Sequence, residues 1–318
     1  MTQLTDLQTE ASENLDTLGD FLRFAVSQAT LANLYCGHGT ISIWDDMAAL
    51  VLGSLSLPLD IPEWIWGTRL LPHEKTMLFA QLVRRIEQKI PVPYLTHEAW
   101  FAELPFYVDE RVLIPRSPFA EIIQAQFAPW IASESVESVL EIGTGSGCIA
   151  IATALAIPSA EIYAADISAE VLAVAKINVA KHDLAHQIHL VQSDVFSHIP
   201  AGQTFDLIIS NPPYVDAEDM ASLPQEYHHE PSLALAAGVD GLDIVHRILK
   251  GAVQHLNPQG VLMVEVGNSS GALVDAYPNL PFIWIELTQG GDGIFVLTRE
   301  ALLAYTEAHT EPRPSGSG

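Results

Sequence analysis

Cysteine is nearly absent. The 318 residues hold two, Cys36 and Cys148, so neither a disulfide framework nor a cysteine metal cluster is available. Basic residues are the second shortage, 14 Lys and Arg against 39 Asp and Glu, for a net charge of −25. Such a surface repels phosphate backbones, which argues against direct DNA binding; it suits plain solubility or the steering of a basic protein partner equally well. Long hydrophobic runs are missing too. The longest, Cys148 to Ile157, is far shorter than the roughly 20 apolar residues of a membrane helix and reads as a buried helix. The first residues, MTQLTDLQTEASENLD, are acidic and polar, the reverse of a signal peptide. These absences place the protein in the cytoplasm, with no membrane partner. The twelve histidines are scattered, and the adjacent pair His228-His229 lacks the i, i+4 spacing of a helical zinc site. No metal is expected.

What is present is apolar content, 49% of the chain, enough for one good-sized core and a smaller second one. Residues 1–96 show helical periodicity, as in Leu78, Leu82 and Ile86 between His73 and Lys89, and are read as a small helical N-terminal domain. Within it Gly37-His38-Gly39-Thr40 precedes an apolar-periodic segment from Ile41 to Leu55; this predicts a glycine turn and a new helix, with His38 a turn residue. From Trp100 to Pro115, Val108, Val112 and Ile114 alternate with polar residues, so residues 97–118 are read as a β-hairpin linker closed by Pro115-Arg116-Ser117-Pro118. Residues 119–306 form the second domain.

There, short apolar strands alternate with helical segments: Val139–Ile142, Ile162–Ala165, His189–Gln192, Leu207–Ser210 and Val261–Val266. The pattern predicts an α/β fold with a doubly wound, mostly parallel sheet. Two final runs, Phe282–Leu287 and Gly293–Leu297, flank the turn Gln289-Gly290-Gly291-Asp292, so the last strand is expected to be antiparallel. Residues 307–318, ending in Pro-Arg-Pro-Ser-Gly-Ser-Gly, have a disordered composition.

Glu141-Ile142-Gly143-Thr144-Gly145-Ser146-Gly147 follows the first of these strands and opens the helix at Cys148, where a doubly wound fold turns tightly and exposes backbone N–H groups to a ligand. A dinucleotide fingerprint needs G-x-G-x-x-G, and Cys148 stands where its last glycine belongs. The run instead resembles the first motif of S-adenosylmethionine-dependent methyltransferases, which Glu141 also fits. Asp166 ends the second strand about twenty residues on, where a carboxylate can accept both ribose hydroxyls. Asp194 and Val195 end the third, suited to accept the adenine amino group and to pack on its ring. Either aspartate alone could be a helix cap. The fourth strand ends in Asn211-Pro212-Pro213-Tyr214, at the same edge of the sheet. Methyl transfer to a planar NH₂ group needs hydrogen-bond acceptors that hold and enrich its nitrogen. Asn211 Oδ1 and the Pro212 carbonyl, fixed by the proline rings, can serve as that pair, with Tyr214 stacked on the planar group.

Together these motifs resemble the class of methyltransferases that modify planar NH₂ groups, which includes DNA adenine-amine enzymes and protein glutamine enzymes. Val112-Leu113-Ile114-Pro115-Arg116 behind Pro93-Tyr94-Leu95-Thr96 resembles the glutamine methyltransferases acting on release factors or ribosomal proteins. Release-factor enzymes usually follow the Pro-Arg with Pro-Asp-Thr-Glu, where this chain has Ser117-Pro118-Phe119. The stretch from Asn211 to Met220, Leu223-Pro224, Glu226-Tyr227, His229-Glu230-Pro231, Asp240-Gly241-Leu242, and Gly37–Thr40 with Trp44-Asp45 resemble the ribosomal-protein branch. Ile41-Ser42-Ile43 is a departure, more apolar than that branch suggests. The resemblance implies a Rossmann-like class I methyltransferase sheet and a helical domain that recognises substrate. It also implies S-adenosyl-L-methionine as cofactor, with S-adenosyl-L-homocysteine as product, and a glutamine of basic large-subunit ribosomal protein L-three as substrate. A release-factor enzyme, a DNA adenine-amine enzyme and a non-catalytic ribosome-assembly factor are the alternatives.

Overall fold

The computed structural model describes residues 7–288 and 290–310. Its centre is a seven-stranded sheet, β3 (Ser138–Ile142), β4 (Glu161–Asp166), β5 (Ile188–Gln192), β6 (Phe205–Ser210), β7 (Leu256–Glu265), β8 (Ile283–Trp284) and β9 (Ile294–Thr298), in the order β5-β4-β3-β6-β7-β9-β8. A separate hairpin of β1 (Ala99–Phe101) and β2 (Leu104–Phe106) precedes it. The strands from β3 to β7 pair in parallel, and β9 runs antiparallel to both β7 and β8. The α/β class, the parallel centre and the antiparallel finish all agree with the sequence patterning. Gln289, part of the expected hairpin turn, lies outside the described residues.

Alternation along the strands builds two cores. Val139, Leu207, Ile209 and Met263 pack with Phe119, Ile123 and Ile149 on one face. Leu140, Ile142, Ile208, Leu262 and Val264 pack with Val245, Ile248 and Leu273 on the other. Successive strand residues point to opposite faces, and both faces are covered by helices, so the central strands are apolar throughout. The N-terminal helices, Leu18–Leu31, Ile43–Ser54 and Pro72–Glu87 among them, enclose a third core around Phe21, Met47, Leu50, Leu78 and Leu82. Thr17 starts the first of these three: its hydroxyl accepts from Asp20 N at 3.1 Å while Asp20 accepts from Thr17 N at 2.9 Å, a reciprocal cap.

Two expectations change. The hairpin is shorter than 97–118: after β2 the chain leaves the ladder, and Val108, Val112 and Ile114 are buried with Tyr94 in a cluster of their own. Tyr94 Oη donates to the Val112 carbonyl at 2.6 Å, and Asp109 accepts from Arg111 N at 3.1 Å, folding a local turn. This segment is wedged between the helices Val92–Thr96 and Ala169–Lys181, and among the described residues it joins no strand ladder. The disordered tail was placed too early as well, because the helix Arg299–Thr310 runs through 307–310, anchored by buried Leu302. Residues 311–318 lie outside the described part.

Asn178 ties this wedge to the sheet edge. Fully buried, it donates to the carbonyls of Tyr107 and Ser146, both at 2.9 Å, and accepts from Tyr107 N at 2.7 Å. Asn178→Leu leaves those peptide groups unpaired, at about 1–3 kcal/mol each. Urea unfolding of that variant is expected to show a loss of about 3–9 kcal/mol for the three groups together; an unmoved midpoint would show that the groups find other partners.

Candidate active site

The strand order reverses at β3, which has β4 on one side and β6 on the other. Ligands of open α/β sheets bind in the crevice at such a switch point. Ile142 pairs with Ser210 in the β3–β6 register and with Ala165 in the β3–β4 register. The next residues, Gly143, Asn211 and Asp166, therefore emerge side by side at the carboxyl edge. Ser210 Oγ, donating to the Ile142 carbonyl at 2.8 Å, locks the two strand ends together.

The glycine loop can turn there because Gly143, Gly145 and Gly147 all have left-handed φ, +78°, +58° and +82°, a region glycine enters without steric cost. Gly143 N and Thr144 N donate to the Ala165 carbonyl at 2.8 and 3.0 Å. Gly145 N donates to Asp166 Oδ2 at 3.1 Å, and Ser168 N donates to Oδ1 at 3.0 Å. Asp166 is thus aimed by backbone donors, and each carboxylate oxygen keeps a lone pair for a ligand hydroxyl.

A cavity of about 610 Å³ occupies the crevice, within the usual range for cofactor sites. Its wall includes Glu141, Gly143, Thr144, Gly145, Ser146, Asp166, Asp194, Val195, Asn211, Pro212 and Pro213. Motifs separated by up to 70 residues in sequence therefore face one space. Two expected site residues do not line it. Gly147 starts the helix Cys148–Ala156, and a Cβ on it would lie 3.4 Å from Ala175 Cβ; its role is close helix packing. Tyr214, expected as a stacking lid, turns its hydroxyl back to Glu265 Oε1 at 3.0 Å, while its carbonyl accepts from Ser269 Oγ at 2.9 Å.

The charges around the cavity are unequal. Glu141 is buried at the floor, beneath the Thr144 hydroxyl that donates to it, and burial pushes its carboxyl up to about 8. Burial also raises Asp166. Asp194 is held below the usual carboxylate range by Arg247, whose guanidinium donates to it at 2.8 Å. Glu265, behind the wall, is pushed up to about 6 by burial despite donation from Ser117 Oγ and Tyr214 Oη.

Sequence reasoning missed the partners that brace the motifs. Arg247 lines the cavity beside Asp194. Arg116 forks onto Glu230 at 2.6 and 2.8 Å, and Glu230 Oε1 also accepts from Ile114 N at 3.0 Å. Arg116 and Glu230 stand in quoted motifs, yet 114 residues separate them and nothing local pairs them. His38 is also more than a turn residue. It is buried, 3.6 Å from Glu230.

A carboxylic acid whose pKa is raised by folding favours the folded state below its unfolded value and loses that contribution as pH rises through the folded value. For Glu141 the window runs from the ordinary glutamate value of 4.5 up to about 8. Glu141→Gln is therefore expected to flatten the fall in stability between those limits, with Glu265, up to about 6, and Asp166 contributing to the slope that remains. Chemical unfolding at several pH values checks this; parallel profiles for variant and wild type would mean that Glu141 ionises normally.

Residues 125–229 match the family model described as "Methyltransferase small domain". The chain is similar to the ribosomal protein uL3 glutamine methyltransferase of Francisella tularensis, 45% identical over 95% of this chain and 96% of the relative. It is also similar to that of Neisseria meningitidis serogroup B, 49% identical over 92% and 97%. A solved methyltransferase from Pyrococcus furiosus overlaps 61% of this chain and 88% of its own, with TM-score 0.44 and 19% identity. With near-complete coverage at such identity to two relatives, the chain belongs to the ribosomal protein uL3 glutamine methyltransferase family.

Proposed function

We propose that the protein transfers a methyl group from S-adenosyl-L-methionine to the side-chain amide nitrogen of a glutamine in uL3, the large-subunit ribosomal protein L-three. The observation that carries this is the meeting of Asn211 and Pro212 with the glycine loop and three acids on one cavity wall. The activity named for the two relatives supports the substrate. So does the net charge of −25, since an acidic surface speeds encounter with a basic partner. A ribosomal substrate puts the activity in the cytoplasm, and among the described residues no helix is long and apolar enough to cross a membrane.

The residues present suit the cofactor. Asp166 offers two aimed carboxylate oxygens for ribose hydroxyls, Asp194 an acceptor for the adenine amine with Val195 beside it, and Gly143–Gly145 with Ser146 a wall that brings ligand against backbone. Glu141, next to the glycine loop on the same lining, would be available to its amino-acid end. When bound, S-adenosyl-L-methionine supplies an electrophilic methyl group on a sulfonium. Asn211 Oδ1 accepts one N–H of the substrate amide and the Pro212 carbonyl the other, holding the delocalised nitrogen on line. Such orientation is worth up to roughly 7–11 kcal/mol of a two-reactant barrier. The nitrogen becomes acidic as its bond to carbon forms, and it releases its proton afterwards, so the site needs no strong base. Pro213 stiffens the turn. Tyr214 braces it from behind through Glu265.

Asn211→Ala is expected to lower kcat by about 10²–10³-fold, the usual cost of losing one oriented polar contact to the reacting group. Its affinity for S-adenosyl-L-methionine is expected to survive, as titration calorimetry would show; wild-type turnover by this variant would sink the assignment. Substrate identity is settled by labelled cofactor with separately purified uL3, release factor and DNA. Label is expected in uL3, and label confined to release factor or DNA would overturn the substrate.

A further inference from the structure

Gly37-His38-Gly39-Thr40 belongs to the helical half of the chain, far in sequence from every motif of the cavity. His38 is only 3% exposed, and both its ring nitrogens are buried without a hydrogen bond. A buried polar ring in that condition is uncommon and calls for an explanation. Its surroundings supply one. The ring lies 4.4 Å from the Tyr227 ring, centroid to centroid, and Nε2 stands 3.6 Å from Glu230 Oε2. This is just beyond hydrogen-bond distance, so a shift of a few tenths of an ångström completes the bond. Close approach is built in at Gly37, where a Cβ would run into the Tyr35 ring and come 3.1 Å from the Tyr227 hydroxyl.

Glu230 is the pin between two stretches of the cavity lining. It takes both arms of Arg116 and the N–H of Ile114, while Arg116 also rests 5.2 Å over the Tyr227 ring. Arg116 with its neighbours Pro115 and Ser117, and Pro231, Leu233 and Ala234 directly after Glu230, all line the cavity. None of these is among the residues claimed for the cofactor, which leaves them available to face a substrate. A second strut reaches the same segment. Arg85, buried, pairs with Asp46 at 2.8 Å and Glu226 at 3.5 Å, and Tyr35 N donates to Glu226 at 3.1 Å.

We propose that His38 is a positioning residue for methyl transfer: through its contact with Glu230, the helical half of the chain fixes the substrate-side wall and so becomes part of the active site. This rests on the methyl-transfer reading of the cavity. Loss of the imidazole frees Glu230 and the segment 226–234 to drift, which lowers the fraction of bound amide held on line. The cofactor side, built on the strand ends, stays as it is.

The test compares His38→Ala, His38→Leu and His38→Gln, the last placing an amide N–H where Nε2 stands. Assays use whichever of uL3 or release factor the wild type methylates, so a failed substrate assignment is read from the wild type alone. The expected result is a kcat about tenfold lower for Ala and Leu, as the fraction of bound amide held on line falls. Cofactor affinity is expected to stay within about twofold, and most of the kcat to return with Gln. Hydrogen exchange read without substrate is expected to speed up over 226–234 in Ala and Leu. Wild-type kcat in the Leu variant, no recovery with Gln, a parallel loss of cofactor affinity, or unchanged exchange over 226–234 would each overturn the proposal.

Discussion

The register between β3 and β6 governs this molecule. Because Ile142 lies opposite Ser210, the first residue past each strand faces the other across the switch point, and glycine loop and Asn-Pro-Pro turn share one crevice. A slip of one residue would turn every side chain of a strand to the opposite face. It would swap Leu207 and Ile208 between the two helix-covered cores, where neither fits the packing it meets, and break the Ser210 bond to the Ile142 carbonyl. Register and core packing thus specify each other, and the site follows from both.

A chain with 39 acidic residues has to manage those it buries. Glu141, Glu230 and Glu265 are all at least 95% buried, and the fold treats them differently. Burial raises Glu141 to about 8 and Glu265 to about 6, with hydroxyl donors but no forked guanidinium bonded to them. Glu230 meets the same upward push from burial, but His38 and the forked Arg116 hold it down at about 2. A buried charge is tolerated when fully paired, and this one joins three segments: the glycine-flanked loop of the helical half, the wedge after the hairpin, and the stretch following the Asn-Pro-Pro-Tyr turn.

Much was legible from local pattern. Glycines at alternate positions before an apolar helix announce a tight strand-to-helix turn, because few other residues take left-handed φ. Two prolines after an apolar run announce a strand end, because proline cannot continue a ladder. Both turns stand at strand ends, and Asp166, Asp194 and Val195 line the same cavity. Other parts failed for equally physical reasons. Val108, Val112 and Ile114 alternate like a strand, but period-2 burial is equally produced by an extended segment packed between two elements. Tyr214 follows Asn211 so closely that a shared role at the reacting group was the natural reading, yet its hydroxyl is set by Glu265, 51 residues on.

By itself the sequence determined the class of fold, the edge of the sheet where the cavity opens, the acids that line it, and a charge suited to a basic partner. Each rests on periodicity, backbone conformational limits or net charge, which are properties of short segments or of the whole composition. Only the tertiary structure decided which buried charges pair, that His38 reaches Glu230 from the helical half, and that Tyr214 braces the turn from behind. Those contacts join residues 50 to nearly 200 positions apart, and no local rule couples them; packing of the finished cores does.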